Sequence, residues 1–293
     1  MAEKDLPFAR VVFCDSGLGG LDVAANFISL CRNNCRAKEL EIICFNAWPR
    51  PGVGFNQLPD LKTKLKALQQ VNEAIFKLSP SLVVYACNTI STLISDGNVA
   101  LPFPALTMLD AATGLLANGL RQDPEASLLI CGTATTAQSG IYSKGLYQRG
   151  FSRRKIAELG CPGLATQIEY APNGAMVCQM LRHYARQAAE HFGGGKLLLG
   201  LCCTHFGYTD LWQSEFRRFF DTVTLLNPNT EVAKRLSSDW QGEYTPHITA
   251  KLLTRVEIAE KKRSSLAVFL VDRAPEIAEA LYAPVRKKNL FTF

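Results

Sequence analysis

Long hydrophobic runs are absent from this sequence: no apolar stretch approaches the ~18 residues of a membrane span. The N-terminal Met1-Ala-Glu-Lys-Asp5 also lacks the apolar core of a secretion signal. The expectation is a cytoplasmic chain with no membrane partner. Low-complexity segments are missing too, and neither sign of charge forms a block. The formal net charge of +6 arises from 32 Lys and Arg interspersed with 26 Asp and Glu. That is a solvated surface rather than the basic stripe of a nucleic-acid binder, so no nucleic-acid partner is expected. What is plentiful is apolar side chain: 47% of 293 residues, enough for one large or two medium cores.

Nucleotide and metal motifs are incomplete. The turn Asp15-Ser-Gly-Leu-Gly-Gly20 supplies two glycines of a G-x-G-x-x-G fingerprint, but its third position is Asp22, a carboxylate where a pyrophosphate would have to approach. No G-x-x-x-x-G-K-[ST] run occurs. Cys202, Cys203 and His205 are close in sequence, yet neighbouring strand residues point to opposite faces and no C-x-x-C elsewhere completes a tetrahedron. Neither cofactor nor metal is expected. Ten cysteines in a small secreted domain would mean disulfides, but here they lie mostly within apolar segments of a large chain and read as reduced thiols. Cys14, Cys31, Cys35, Cys44, Cys131, Cys161 and Cys178 read as small buried or half-buried hydrophobes.

The apolar residues alternate between strand-like and helix-like runs. Strands are expected over 10–14, 40–45, 81–86, 127–131, 155–159, 196–201 and Thr222–Leu226. Helices are expected over 21–31, 59–78, from 89 onward, 110–120, 142–148, 175–191 and 209–220, with a Pro/Gly-punctuated loop over 48–56. Such alternation implies parallel sheets covered on both faces. Leu101-Pro-Phe-Pro104 interrupts the pattern, which then restarts as a second α/β domain. The tail, read as a strand over 265–271 and a helix over 275–281, is too small for a domain and is expected to pack on the first.

Two runs carry the chemistry: Leu82-Val-Val-Tyr-Ala-Cys-Asn-Thr89 and Leu197-Leu-Leu-Gly-Leu-Cys-Cys-Thr-His205. Each is a buried strand ending in a cysteine at the start of a helix, where a parallel sheet opens onto a crevice and unpaired N–H groups favour a thiolate. Two thiols facing one carbon suit removal of a proton from one side and its return on the other, with inversion. Asn88, Thr89 and Thr204 can hold polar ends of a substrate, and His205 and Asp15 can position or relay protons. The echo between the two corners hints at pseudo-twofold halves.

Together, Asp15-Ser-Gly-Leu-Gly-Gly20, Cys87-Asn-Thr89 and Cys203-Thr-His205 resemble the cofactor-independent glutamate racemases of the aspartate/glutamate racemase superfamily. Gly132-Thr-Ala-Thr-Thr136 with Ser139-Gly-Ile-Tyr142 is similar to that family's carboxylate-holding loop, and Cys161-Pro162 and Glu169 fall at its Cys-Pro turn and site-proximal glutamate. The resemblance implies two α/β domains, 1–104 with 222–293 and 105–221, their parallel sheets facing each other in pseudo-twofold arrangement with the active site in the cleft. It implies Cys87 and Cys203 as catalytic bases, Asp15 assisting the first, and His205 with Glu169 assisting the second. Asp15, Ser16, Asn88, Thr89, Thr133, Thr136 and Thr204 would bind the amino acid. The implied activity is cofactor-free interconversion of L- and D-glutamate, which in a bacterium supplies peptidoglycan, and a homodimer is compatible with it. The chain departs from the family pattern at Pro51-Gly-Val-Gly-Phe-Asn56, where a tyrosine is usual, at Phe206-Gly207 and at Asn227-Pro228. Aspartate or another amino acid as substrate, or an amino-acid-binding relative without turnover, therefore remain alternatives.

Overall fold

The fold is described from a computed structural model covering residues 6–97 and 99–292; the N-terminal reading above rests partly on residues 1–5, outside that range. The first half runs β1 (Leu6–Asp15), α1 (Gly20–Cys31), β2 (Ala37–Asn46), α2 (Leu61–Phe76), β3 (Leu82–Tyr85), α3 (Asn88–Asp96) and β4 (Ala105–Thr107). The second runs α4 (Leu109–Gln122), β5 (Ser127–Gly132), α5 (Ala134–Ser139), α6 (Ile141–Gln148), β6 (Ile156–Gly160), α7 (Leu164–Tyr170), α8 (Ala175–Phe192), β7 (Lys196–Cys202), α9 (Leu211–Phe216) and β8 (Thr222–Leu226). The chain then returns through α10 (Pro228–Ser238), β9 (His247–Thr254), α11 (Glu260–Leu270), α12 (Pro275–Tyr282) and β10 (Val285–Arg286).

Two parallel sheets result, with strand orders β10-β9-β2-β1-β3-β4 and β6-β5-β7-β8. The four-strand order β2-β1-β3-β4 is repeated by β6-β5-β7-β8, so each half follows the same winding. In such an order the crossovers leave the sheet in opposite directions from its first and third strands, and a crevice opens at their carboxyl ends. That rule selects the ends of β1 and β3 in one sheet and of β5 and β7 in the other. These are the four strand ends that carry Asp15, Cys87, Thr133 and Cys203.

The expected domain boundaries each shift by one strand. Residues 105–107, expected in the second domain, form β4 and pair with β3; 222–226, expected in the first, form β8 and pair with β7. Prolines at 102 and 104 mark a bend within the first half rather than the crossing.

The tail packs on the first sheet, as expected, but with different elements. Residues 265–271 are not a strand; they belong to α11 and its C-cap, and the buried Lys262, Leu266, Ala267 and Leu270 follow helical spacing while Val268 and Val271 are exposed. The apolar run Ala-Val-Phe-Leu-Val imitates a strand when its period is not counted. The tail strands are instead β9, paired along β2, and the two-residue β10 at its outer side; the half-polar β9 sequence His247-Ile-Thr-Ala-Lys-Leu-Leu-Thr254 gives a weak apolar signal. The 209–220 helix shortens to α9, while β4, α5, α7 and α10 had no sequence-level counterpart.

One continuous cluster of buried side chains runs from Val11, Phe13 and Phe27 to Leu129, Leu199 and Trp212, so the halves share a core. Smaller cores cover the outer faces, around Tyr85 and Phe45 in the first half and around Tyr142 and Leu116 in the second. Each fully buried Leu or Phe adds about 1.5–3 kcal/mol to this packing. The shared core fixes the facing strand ends relative to each other.

Candidate active site

Strand ends and the loops after them enclose a cavity of about 310 Å³ between the halves. Asp15, Ser16, Cys87, Asn88, Thr89, Thr133, Glu169, Cys203, Thr204 and His205 all line it. Of the residues expected to bind substrate, Thr136 does not line the cavity. It is buried behind Thr133, whose Oγ1 accepts from the Thr136 amide at 3.3 Å in capping α5. Among the described residues, no group of three or more His, Cys, Asp or Glu is arranged to hold a metal ion, and no helix is long and apolar enough to cross a membrane.

Cys87 occupies the N-cap of α3 with an extended backbone, which aims its thiol into the cavity beside the helix's free N–H groups. Its Sγ lies 3.2 Å from Ser16 Oγ. Burial, and secondarily the Asp15 charge, push this thiol up to about 12, opposed by the Ser16 hydroxyl and the amides of Ile90 and Ser16. A thiol held protonated is a proton donor. Next to it Asn88 accepts a hydrogen bond from Tyr142 Oη through Oδ1, while its buried Nδ2 has no partner among the described residues. An orphan donor on a cavity wall is suited to a ligand oxygen.

Cys203 is set differently. It precedes the short 3-10 turn Thr204–Tyr208, and its Sγ lies 3.8 Å from His205 Nδ1. On the other side of the ring, Nε2 meets Glu169 Oε1 at 2.8 Å and the Leu18 amide at 3.2 Å. One nitrogen cannot both donate to the carboxylate and accept from the amide, and the shorter, charge-assisted contact to Glu169 decides for donation. Burial alone would lower the His205 pKa, but Cys203 and Glu169 together raise it well above its usual value. Burial would likewise raise Glu169, yet His205 and Lys262 overcome it and hold this carboxylate below its usual value. An imidazolium therefore faces Cys203. One corner presents a thiol and the other a thiol beside a cation.

Adjacent Cys202 points the other way, into the core with Leu116, Ile130 and Tyr142, as alternation along β7 requires. Contacts across the cleft tie the corners together. Thr204 Oγ1 donates to Asp15 Oδ2 at 2.8 Å, and Thr89 and Thr133 meet hydroxyl to hydroxyl at 2.9 Å. Burial raises the Asp15 pKa, and His205, Thr204 and the Gly20 amide work against that rise. Gly17 and Gly19 allow this approach: a Cβ on Gly19 would come within 2.4 Å of Thr204 Oγ1 and 2.6 Å of the His205 amide nitrogen. The Asp22 carboxylate, which spoiled the nucleotide motif, is buried in an ion pair with Arg273 and accepts from Asn229 Nδ2, which also donates to the Thr204 carbonyl.

Sequence reasoning missed several contributors. Trp48 and Gln57 from the 48–57 loop line the cavity, and Gln57 Oε1 accepts from the Gly54 amide at 2.8 Å. Lys262 and Asn229 support site residues from elements distant in sequence, and Tyr142, named only within a motif, supports Asn88. For the others, the sole prior signal was the loop's departure from the family pattern.

No family model matches the chain. In sequence it is 27% identical over 216 residues to a glutamate racemase of a Nitratiruptor species, spanning 72% of this chain and 76% of that protein. It is 25% identical over 246 residues to a glutamate racemase of Sphingopyxis alaskensis, spanning 83% and 86%. Its fold matches the crystal structure of glutamate racemase from Francisella tularensis subsp. tularensis in complex with D-glutamate, with TM-score 0.66 and 20% identity over 90% of this chain and 94% of that one. Fold, motifs and relatives support an isomerase of the amino-acid racemase class, with similarity to the glutamate racemases. Within that class, the curated proteins it is similar to are glutamate racemases.

Proposed function

We propose that the chain interconverts L- and D-glutamate without a cofactor, using Cys87 and Cys203 as paired acid and base. The observation that carries this reading is that the two thiols line one cavity from opposite halves and have opposite surroundings. With the substrate α-carbon between them, the Cys203 thiolate takes the α-proton, the C–H electron pair moves into the adjacent carboxyl group, and Cys87 delivers its proton to the other face. The reverse direction exchanges the roles. Orphaned Asn88 Nδ2 and the hydroxyls of Ser16, Thr89 and Thr133 supply donors for substrate carboxylates, Asp15 is a partner for the ammonium group, and Thr204, whose one hydroxyl proton is given to Asp15, lines the site as that carboxylate's support. Thr136 acts through Thr133. The product would serve peptidoglycan synthesis in the cytoplasm of a bacterium, from a chain acting alone or as a homodimer.

A second substrate is favoured by one observation. The 51–56 loop brings Gly52, Gly54 and Asn56 to the cavity where the family pattern has a tyrosine, so aspartate or another amino acid is the alternative. The test is incubation of purified protein with L-glutamate, and separately L-aspartate, in D2O without cofactor. α-Proton loss is followed by NMR and optical rotation by circular dichroism. Exchange with decaying rotation on glutamate supports the proposal, the same result on aspartate alone favours the alternative, and binding without exchange would refute turnover.

A further inference from the structure

Lys262 is a lysine where lysines are seldom found. It projects from α11 into the shared interior and is 5% exposed. Its Nζ lies 2.7 Å from Glu169 Oε2, the oxygen not used by His205, and stands over the rings of Trp48 at 4.9 Å and Tyr170 at 4.7 Å. The result is a buried chain of four groups: Lys262 ammonium, Glu169 carboxylate, His205 imidazole and Cys203 sulfur. Ser265 Oγ separately ties α11 to α7 by donating to the Tyr170 carbonyl at 2.8 Å.

Counting charges along the chain gives the lysine a purpose. Glu169 and Lys262 cancel. The imidazolium at His205 is then left facing Cys203, and a Cys203 thiolate makes these four groups neutral among themselves. Without the ammonium, the imidazolium is already balanced by Glu169, and a thiolate would leave a net negative charge in a buried site. Uncompensated buried charge is costly, so the proton would stay on sulfur. We propose that Lys262 is a positioning residue for the second thiol: by neutralising Glu169 it leaves the His205 charge to be matched by the Cys203 thiolate. The remaining titratable groups facing the cluster are Asp15 from β1, Cys161 beside Cys203, and Tyr170 from α7. None of them supplies a cation, and the Asp15 carboxylate, which also faces His205, adds the same negative charge with or without the ammonium, so the effect of Lys262 on a Cys203 thiolate keeps its sign.

This inference rests on the two-thiol reading of the site, but its test needs no turnover. The rate of alkylation of Cys203 by iodoacetamide is measured by peptide mass spectrometry across about pH 6 to 9 in the wild type, Lys262→Met and Lys262→Arg. Lys262→Gln serves as a second neutral variant should Lys262→Met not fold. The neutral variants should slow Cys203 alkylation near neutrality by about tenfold, equivalent to about one pH unit in the profile. Cys87 should be unaffected, and Lys262→Arg should stay within about threefold of wild type because it keeps the charge. Unchanged Cys203 labelling in a folded neutral variant, or equal slowing at both cysteines, would overturn the assignment. Wild-type protein with no racemase activity but this labelling pattern would refute the proposed reaction and leave the role of Lys262 intact.

Discussion

Thr204 Oγ1 donates to Asp15 Oδ2 at 2.8 Å, linking the turn after β7 to the end of β1 across the cleft. Thr204→Val keeps the shape and removes the donor, leaving a buried carboxylate oxygen short of a partner. Stability should fall by about 1–3 kcal/mol, read from the denaturant midpoint. Racemisation should slow by more than about tenfold, because both thiol corners lose a shared support.

Alternation along β7 separates two adjacent cysteines into different roles. Cys203→Ser should abolish most turnover, since a hydroxyl is too weak an acid to share the proton work of a thiol. Cys202→Ser changes a core position and should cost stability with modest effect on rate. Equal losses in the two folded variants, compared by the circular-dichroism assay, would contradict the alternation.

Gly19 is required by close approach rather than by backbone angle. Its substituent-free α-carbon lets the β1 turn pass the Thr204–His205 segment, where a methyl group would lie within 2.4 Å of Thr204 Oγ1. Gly19→Ala should destabilise by about 1–3 kcal/mol. It should also cut kcat by displacing His205 from Cys203, a split visible when melting temperature and steady-state kinetics are measured together.

The His205–Glu169 pair makes stability depend on pH in two directions. Glu169 is held below its usual value of 4.5, so its contribution is present above that value and is lost as pH falls through the lower folded-state pKa. His205 is held above its usual 6.5, so its contribution is present below 6.5 and is lost as pH rises through the higher folded-state pKa. The difference in denaturation midpoint between wild type and Glu169→Gln should therefore be largest between those values and shrink toward acid. A difference that grows below about pH 4 would contradict the pairing.

The strand ends that carry chemistry were legible because buried parallel strands announce themselves as continuous apolar runs, and both thiols fall just past such runs. Asp15 and Asn88 follow by the same logic, being at or immediately after strands, whereas Thr133 was reached only through the family resemblance of its loop. Lys262 was not legible. Its helix carries an apolar stretch that mimics a strand, and nothing local to residue 262 records that Glu169, 93 positions away, will meet it. Trp48 and Asn229 were missed for the same reason: their partners, Lys262 for the first and Asp22 with the Thr204 carbonyl for the second, lie far away in sequence. Thr136 shows the opposite error, a motif residue one layer removed from the cavity it was expected to touch.

The claim that two thiols work on opposite faces of one carbon is tested most directly by following α-proton exchange in D2O for each glutamate enantiomer with Cys87→Ser and Cys203→Ser. A single remaining thiol can remove and return a proton only on its own face. Each variant is therefore expected to wash deuterium into one enantiomer without inverting it, and the two variants into opposite enantiomers. Near-normal racemisation by both variants, or exchange of the same enantiomer by both, would contradict the account.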